Sequence, residues 1–322
     1  MQAIRVHQFG GPEVLQLEDA VALKPAPDEV LIEVKAAGVN PVDTYIRSGQ
    51  YSIKPFLPYT PGMDAAGTIK AVGLKITRLR PGNRVYTIGS RSGAYAQEML
   101  CAESQVFPLP WNVSFAQGAC VGIPYAAAYR AFVQKAKVKA KQTILIHGAS
   151  GGVGIAAVQL AKHLKCVVLA TASSEKGRAL VVQQGAAFAF DHSKPGYLDE
   201  IMKATNNRGV DVVMEMRADV NLGRDLTMLA PGGCVVVVGS RGEVTINPRD
   251  LMSREAIVMA MIILNAPPED IREIHRALGQ GLANNSLKPI IAQEFPLKDA
   301  PEAHRRIMDV SLGAAGKIVL IP

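Results

Sequence analysis

Cysteine is scarce in this 322-residue chain: Cys101, Cys120, Cys166 and Cys234 lie far apart and form no CxxC pair. That spacing excludes a zinc ribbon and a secreted disulfide framework, and it fits a reducing compartment. Aromatic residues amount to 5%, and no RRM, KH or stacking-aromatic motif occurs, so the usual single-strand RNA platforms are missing. The longest uninterrupted apolar run, Ala256 to Leu264, is about half of what a bilayer crossing needs. The opening MQAIRVHQFG lacks the apolar core of a signal peptide. The expectation is a soluble, cytoplasmic protein with no membrane partner.

What is present is an ordinary globular composition, 48% hydrophobic and 20% charged, long enough for two domains at the usual ~150 residues each. Lys and Arg number 35 against 28 Asp and Glu, a formal +7, but the basic residues are scattered. Such a balance tolerates anionic ligands without demanding nucleic acid.

The first ~120 residues alternate in short strands punctuated by Gly and Pro: Ala3–Val6, Glu29–Ala36, Ala66–Val72, Arg84–Ile88 and Ala94–Cys101. From Ala116 the composition turns helical, at Ala116–Gly122 and Ala126–Lys135. Apolar strand runs follow at Thr143–His147, Cys166–Thr171, Ala187–Phe190, Val210–Glu215, Gly233–Val238 and Ile257–Ile263, with helical segments between most of them. Runs apolar on both faces are what parallel strands covered by helices require. The fold class is therefore α/β: a β-rich domain plus a doubly wound, six-stranded parallel sheet of Rossmann type. The tail adds a helix at Pro268–Ala283, a strand at Ile290–Phe295, a helix at Lys298–Val310 and a strand at Lys317–Ile321. These exceed the needs of the parallel sheet and are expected to complete the first domain. The domains are thus 1–122 completed by 264–322, and 123–263.

The strongest motif is the strand Thr143–His147, then Gly148, Gly151 and Gly154 in GxxGxxG spacing, then the amphipathic run Ile155–Leu164. Between a buried strand and a helix, such glycines let the chain reverse and approach a pyrophosphate, which the helix N-terminus then binds. An NAD enzyme usually carries an acid at the tip of the second strand, where this chain reads Ala172-Ser173-Ser174; Glu175 falls past it, in the next helix. Ser173 with Lys176 and Arg178 suits a 2′-phosphate instead, so NADPH is the expected cofactor. The turn Val238-Gly239-Ser240-Arg241-Gly242 follows the fifth strand at its carboxyl end and is expected to line the cofactor groove.

With these features in place, the sequence resembles the medium-chain dehydrogenase/reductase superfamily, and within it the zeta-crystallin-like NADPH:quinone oxidoreductases. The resemblance rests on FGGPEVL (9–15), GVNPVDTYIRSGQY (38–51), LPYTPGMDAAG (57–67), GIPYAAAYRA (122–131), HGASGGVG (147–154), EMRADVNL (215–222), VVGSRG (237–242), INPRD (246–250) and AHRRI…GAAGKIVL (303–320). It implies a GroES-like catalytic domain built from both chain ends and a Rossmann domain between them. A homo-oligomer is implied too, a tetramer or a dimer. By matching motifs it also implies Ser150, Gly151, Gly152 and Val153 at the phosphate loop, His192, Asn221, Gly239, Ser240 and Arg241, and Met261, Ile262 and Ile263 as cofactor positions.

Zinc members of the superfamily carry Cys and a His-Glu pair where this chain has Asn40 and Met63-Asp64, and the lobe for a structural zinc is missing between Ser90 and Cys101. Without thiolate or imidazole ligands there, no tetrahedral zinc site is expected. Quinones accept electrons readily, so positioning against the nicotinamide can supply much of the rate. The resemblance makes Tyr45 and Asn40 the polar catalytic groups. Ala127 replaces a hydroxyl residue common in relatives, which implies slow turnover, and Arg217 has no assigned role. The implied reaction is zinc-independent reduction of quinones, ortho-quinones foremost, with one-electron delivery to semiquinone as a variant. Reduction of enones, 2-alkenals or enoyl thioesters, and A/U-rich RNA binding or a structural crystallin-like role, are the alternatives.

Overall fold

The computed structural model describes residues 1–322 except Val310 and Leu312. It divides into two compact units, the first comprising Met1–Ile123, His275–Ser311 and Gly316–Pro322. The second runs over Pro124–Ile274, with a short stretch ending at Ala315. The second boundary falls inside the helix Pro268–Ala283. Asp270 pairs with Arg130 at 2.7 Å within the second unit, while His275 bonds Tyr86 at 2.9 Å within the first.

The first unit is organised around the strand Glu29–Gly38, whose Val30, Ile32, Val34, Ala36 and Ala37 are buried. This strand pairs antiparallel with Asp64–Val72 and with Glu98–Ala102. The expected strand from Ala94 begins later, at Glu98, because Ala94 and Tyr95 donate their amides to the Pro61 carbonyl and leave the ladder. From the other chain end, Lys317–Ile321 adds antiparallel to Glu29–Gly38 and parallel to Ile291–Pro296. The core packs Ile4, Val30, Ile32, Ile69, Met99, Leu297, Ile318 and Leu320 into one cluster. The last helix covers Ala300–Met308, and the expected end at Val310 lies outside the described residues.

A seven-residue helix, Pro41–Arg47, was not visible in the hydrophobic pattern. It starts because Asn40 is extended, Pro41 fits the first helical position, and the Asp43 carboxylate accepts the Asn40 amide at 2.8 Å. The expected helix Ala116–Gly122 shortens to Phe115–Gly118, and the next runs over Gly122–Tyr129 before widening to a π-helical turn, Arg130–Lys135.

In the second unit the elements are β1 (Thr143–Ile146), α1 (Gly152–His163), β2 (Val167–Thr171), α2 (Glu175–Gln184), β3 (Phe188–Phe190), α3 (Tyr197–Ala204), β4 (Val210–Glu215), α4 (Ala218–Met228), β5 (Leu229–Val237) and β6 (Ile257–Ala260). All neighbours are parallel, in the order β3-β2-β1-β4-β5-β6. That is the doubly wound arrangement, and its chain direction switches between β1 and β4, where ligands bind in such sheets. β6 stops at Ala260, short of the expected Ile263, because Met261 takes the last β5 carbonyl, that of Val237. Ile263–Asn265 then turns as a short 3-10 helix.

Candidate active site

The loop after β1 forms as its glycines dictate. Gly148 takes φ +58°, which an L side chain rarely adopts. A Cβ on Gly154 would lie 2.5 Å from the Ala149 Cα and from the Gly148 carbonyl oxygen, so α1 can pack against the loop only with glycine there. The loop is tied to β2 by the Ala149 amide, which donates to the Thr171 carbonyl at 2.8 Å. α1 opens on Gly151 with no side-chain cap. Its first amides, Gly152, Val153 and Gly154, have no intrahelical acceptor and stand available to an anion. Ser150 is buried beside them.

At the β2 tip, Ser174 is spent as the cap of α2, its Oγ accepting the Gly177 amide at 3.1 Å. Ser173 stays half-buried and Lys176 exposed. Arg178 turns back, donating to the Ala172 and Ser173 carbonyls and pairing with Asp191 at 2.9 Å. Of the two basic residues, Lys176 is therefore the one whose ammonium reaches solvent at the strand tip.

Asn221 lies in α4, beside the switch point, with its Nδ2 on Glu215 at 3.2 and 3.3 Å. Val238 and Gly239 both donate to the Glu215 carbonyl, which fixes the turn after β5 against the end of β4. Arg217 now has a physical account: its guanidinium grips Asp219 at 3.0 and 3.2 Å, and Asp219 also accepts the Arg241 amide at 3.1 Å. The loop carrying Ser240 and Arg241 is thereby tied to the start of α4. Met261 and Ile263 are buried and Ile262 is exposed.

A buried polar chain that the sequence did not announce runs beneath the loop. His147 contacts Asp225 at 2.9 Å through Nε2 and Thr171 at 3.3 Å through Nδ1. Thr171 Oγ1 also accepts the Gly148 amide at 3.2 Å and meets His192 Nδ1 at 3.2 Å. Every contact is satisfied when His192 donates to Thr171, Thr171 to His147 Nδ1, and His147 Nε2–H to Asp225. Burial lowers the His147 pKa, so the neutral imidazole this requires is the favoured one. Burial raises Glu215 and Asp225 alike, to about 7.

In the first unit, Asn40 is 3% exposed and both ends of its carboxamide are engaged. Nδ2 donates to Asp64 at 3.0 Å, and Oδ1 accepts from the Lys317 ammonium. Lys317 also lies 3.4 Å from Asp64, and the Ile123 amide donates to the other Asp64 oxygen at 2.9 Å. Burial raises the Asp64 pKa, and Lys317 opposes that rise. Tyr45, on the same helix as the buried Asp43, Thr44, Ile46 and Arg47, keeps partial exposure. Asp43, raised to about 7 by burial, accepts from Tyr95, which also meets His304 at 3.1 Å. A cavity of about 870 Å³ in this unit is lined by Asp43, Ile46, Tyr59, Gly62 and Met63, but by neither Tyr45 nor Asn40.

Two family models match the chain: an alcohol dehydrogenase GroES-like domain over residues 26–111 and a zinc-binding dehydrogenase over 152–280. Together with the sheet order, they define the class as a medium-chain dehydrogenase/reductase. A quinone oxidoreductase of Homo sapiens is 47% identical over 322 residues, spanning 100% of this chain and 98% of that protein. The Escherichia coli quinone oxidoreductase complexed with NADPH superposes with a TM-score of 0.91 at 30% identity, covering 100% of both chains. The CurK enoyl reductase superposes with a TM-score of 0.90 at 25% identity, covering 99% of this chain and 98% of that one. The chain belongs to the quinone oxidoreductase family. Among the described residues no helix is long and apolar enough to cross a membrane.

Proposed function

We propose that this protein reduces quinones with NADPH and without zinc. The observation that carries the zinc-free reading is the set Asn40, Asp64 and Lys317. Where zinc relatives carry Cys and His-Glu the chain has Asn40 and Met63-Asp64, and the ammonium of Lys317, from the last strand, bonds the amide and the carboxylate, which also bond each other. An ammonium hydrogen-bonded inside the ligand set is a poor neighbour for a divalent cation, and no soft ligand is within that set.

The residues of the second unit fit the cofactor. Gly152, Val153 and Gly154 offer backbone N–H groups to a pyrophosphate. Lys176, exposed at the β2 tip beside Ser173, supplies the charge that a 2′-phosphate needs. His192, Asn221 and the Val238–Arg241 turn frame the remaining length, and Met261, Ile262 and Ile263 supply an apolar wall. NADPH, when bound, supplies a hydride to the acceptor. The balance is quinone plus NADPH plus a proton giving hydroquinone plus NADP+, and with single-electron delivery two quinones are consumed per NADPH. Tyr45 is assigned to orient the nicotinamide or the acceptor through its hydroxyl. Asn40, whose Oδ1 faces Lys317, has only its remaining N–H to offer, so its part is to hold a donor toward a developing oxyanion.

We assign ortho-quinones as the preferred acceptors. NADPH absorbance at a fixed enzyme concentration is expected to fall with an ortho-quinone as sole acceptor. Faster consumption with a 2-alkenal would move the assignment to enone reduction, the reading that the enoyl-reductase likeness favours. We also assign a homo-oligomer, in which β6, an outer strand with Ile257 and Val258 exposed, pairs with its counterpart in a second copy. A monomer in sedimentation at micromolar concentration would contradict this.

A further inference from the structure

The residues that touch a nucleotide must themselves be held, and the carboxamide of Asn221 raises that question because its two ends are nearly isosteric. A carboxylate only accepts hydrogen bonds, so whichever end of an amide faces it must be the NH2. Glu215 is fully buried at the end of β4. It takes Asn221 Nδ2 on both oxygens, at 3.2 and 3.3 Å, while its Oε1 also accepts the Arg217 amide. Asn221 Oδ1 is thereby turned away, from a half-buried position in α4 beside the β1–β4 switch point.

We propose that Glu215 is a positioning residue for cofactor binding: its buried carboxylate holds Asn221 so that Oδ1, an acceptor, meets a hydroxyl donor on the dinucleotide. This rests on the reading that the second unit binds NADPH through Asn221. Asp225 and His147 complete the device. Asp225 Oδ1 accepts from His147, while Oδ2 is a buried oxygen that lacks a partner unless it carries a proton. Glu215 Oε2 lies 3.7 Å from the same His147 Nε2 that Asp225 Oδ1 meets at 2.9 Å, so two carboxyls occupy one buried site beside a neutral imidazole and hold a proton between them. The two N–H donors on Glu215 favour its ionised form, so the shared proton belongs on Asp225 Oδ2, where it satisfies the orphan atom. The other titratable or charged groups facing the pair are His147, kept neutral by burial, and Tyr197 and Arg224, while the Arg217 guanidinium is occupied by Asp219.

The consequence is a pH signature. When Glu215 gains a proton it becomes a donor as well, Asn221 is free to turn its NH2 outward, and NADPH affinity falls. The test is equilibrium NADPH binding by calorimetry, with no turnover, on wild type, N221A, E215Q and the double variant. N221A and E215Q are each expected to weaken binding about tenfold, the loss of one hydrogen bond to the ligand. The double variant is expected to be no worse than either single one, because both remove the same contact. Wild-type affinity is expected to fall between about pH 8 and about pH 6, beyond the fall in E215Q, which shares any titration of the 2′-phosphate itself. Wild-type affinity in E215Q, or losses that add in the double variant, overturns the proposal while leaving the cofactor reading intact. If E215Q does not fold, the ratio of N221A to wild-type Kd decides: it should shrink toward one on acidification, and a constant ratio overturns the proposal. No uptake of NADPH by wild type overturns the cofactor reading and the proposal with it.

Discussion

The ammonium of Lys317 donates to Oδ1 of Asn40 across 277 residues of sequence, inside the first unit, where neither side chain is more than 5% exposed. The contact exists because Lys317–Ile321 returns to pair with Glu29–Gly38, and the Val39 amide meets the Ile318 carbonyl at 3.0 Å. Lys317 therefore faces Asn40 and Asp64 as a fixed internal cation.

Removing that cation leaves a buried carboxylate without its counter-charge. K317M is expected to lower stability by about 3–5 kcal/mol, and D64N in the same chain to restore much of it. Denaturant unfolding of the two single variants and the double one measures the coupling, and purely additive losses would contradict the pairing.

G154A places a methyl group 2.5 Å from the Ala149 Cα, against backbone that has nowhere to go. The expected cost is about 1–3 kcal/mol of stability, together with loss of NADPH affinity as the loop is pushed from α1. Thermal melts with and without NADPH check both: the cofactor-induced rise in Tm should shrink in the variant.

Lys176 is expected to discriminate the phosphorylated cofactor. K176A should weaken NADPH about tenfold and leave NADH nearly unchanged, since one charge-assisted hydrogen bond to phosphate is lost. Equal losses for the two cofactors would place Lys176 elsewhere.

Asp225 stands at about 7 against an ordinary carboxylate value of 3.8, raised by burial. A raised carboxyl contributes stability that is complete below the unfolded value and is lost as pH rises through the folded one. The Tm of wild type is thus expected to fall from about pH 5 to about pH 8, and D225N to flatten that fall by a share of the order of 2 kcal/mol. Asp43, also raised by burial, acts in both proteins, while Glu215 is coupled to Asp225, so the difference between the two curves reports the Glu215–Asp225 pair.

The parallel sheet and the phosphate loop were legible because each is written locally: apolar runs for strands buried on both faces, glycines where the chain must turn or approach. The edges were less legible. Where β6 stops depends on where β5 stops offering carbonyls, which no window of β6 contains. The helix Pro41–Arg47 escaped notice because its signal is a capping box and a proline, not a periodic apolar stripe. Asn40 was singled out, but its partner Lys317 was not, since a lone Lys before an apolar strand signals nothing until the strand is paired. Glu215 and Asp225 likewise looked like ordinary acids in EMRADVNL and the helix after it. Only the fold converts them into a buried pair.

The most direct test of the account is the rate of NADPH oxidation with an ortho-quinone as sole acceptor, before and after exhaustive dialysis against a chelator. An unchanged rate, with no gain on adding zinc, is the predicted result. A rate that disappears on chelation and returns with zinc would contradict it.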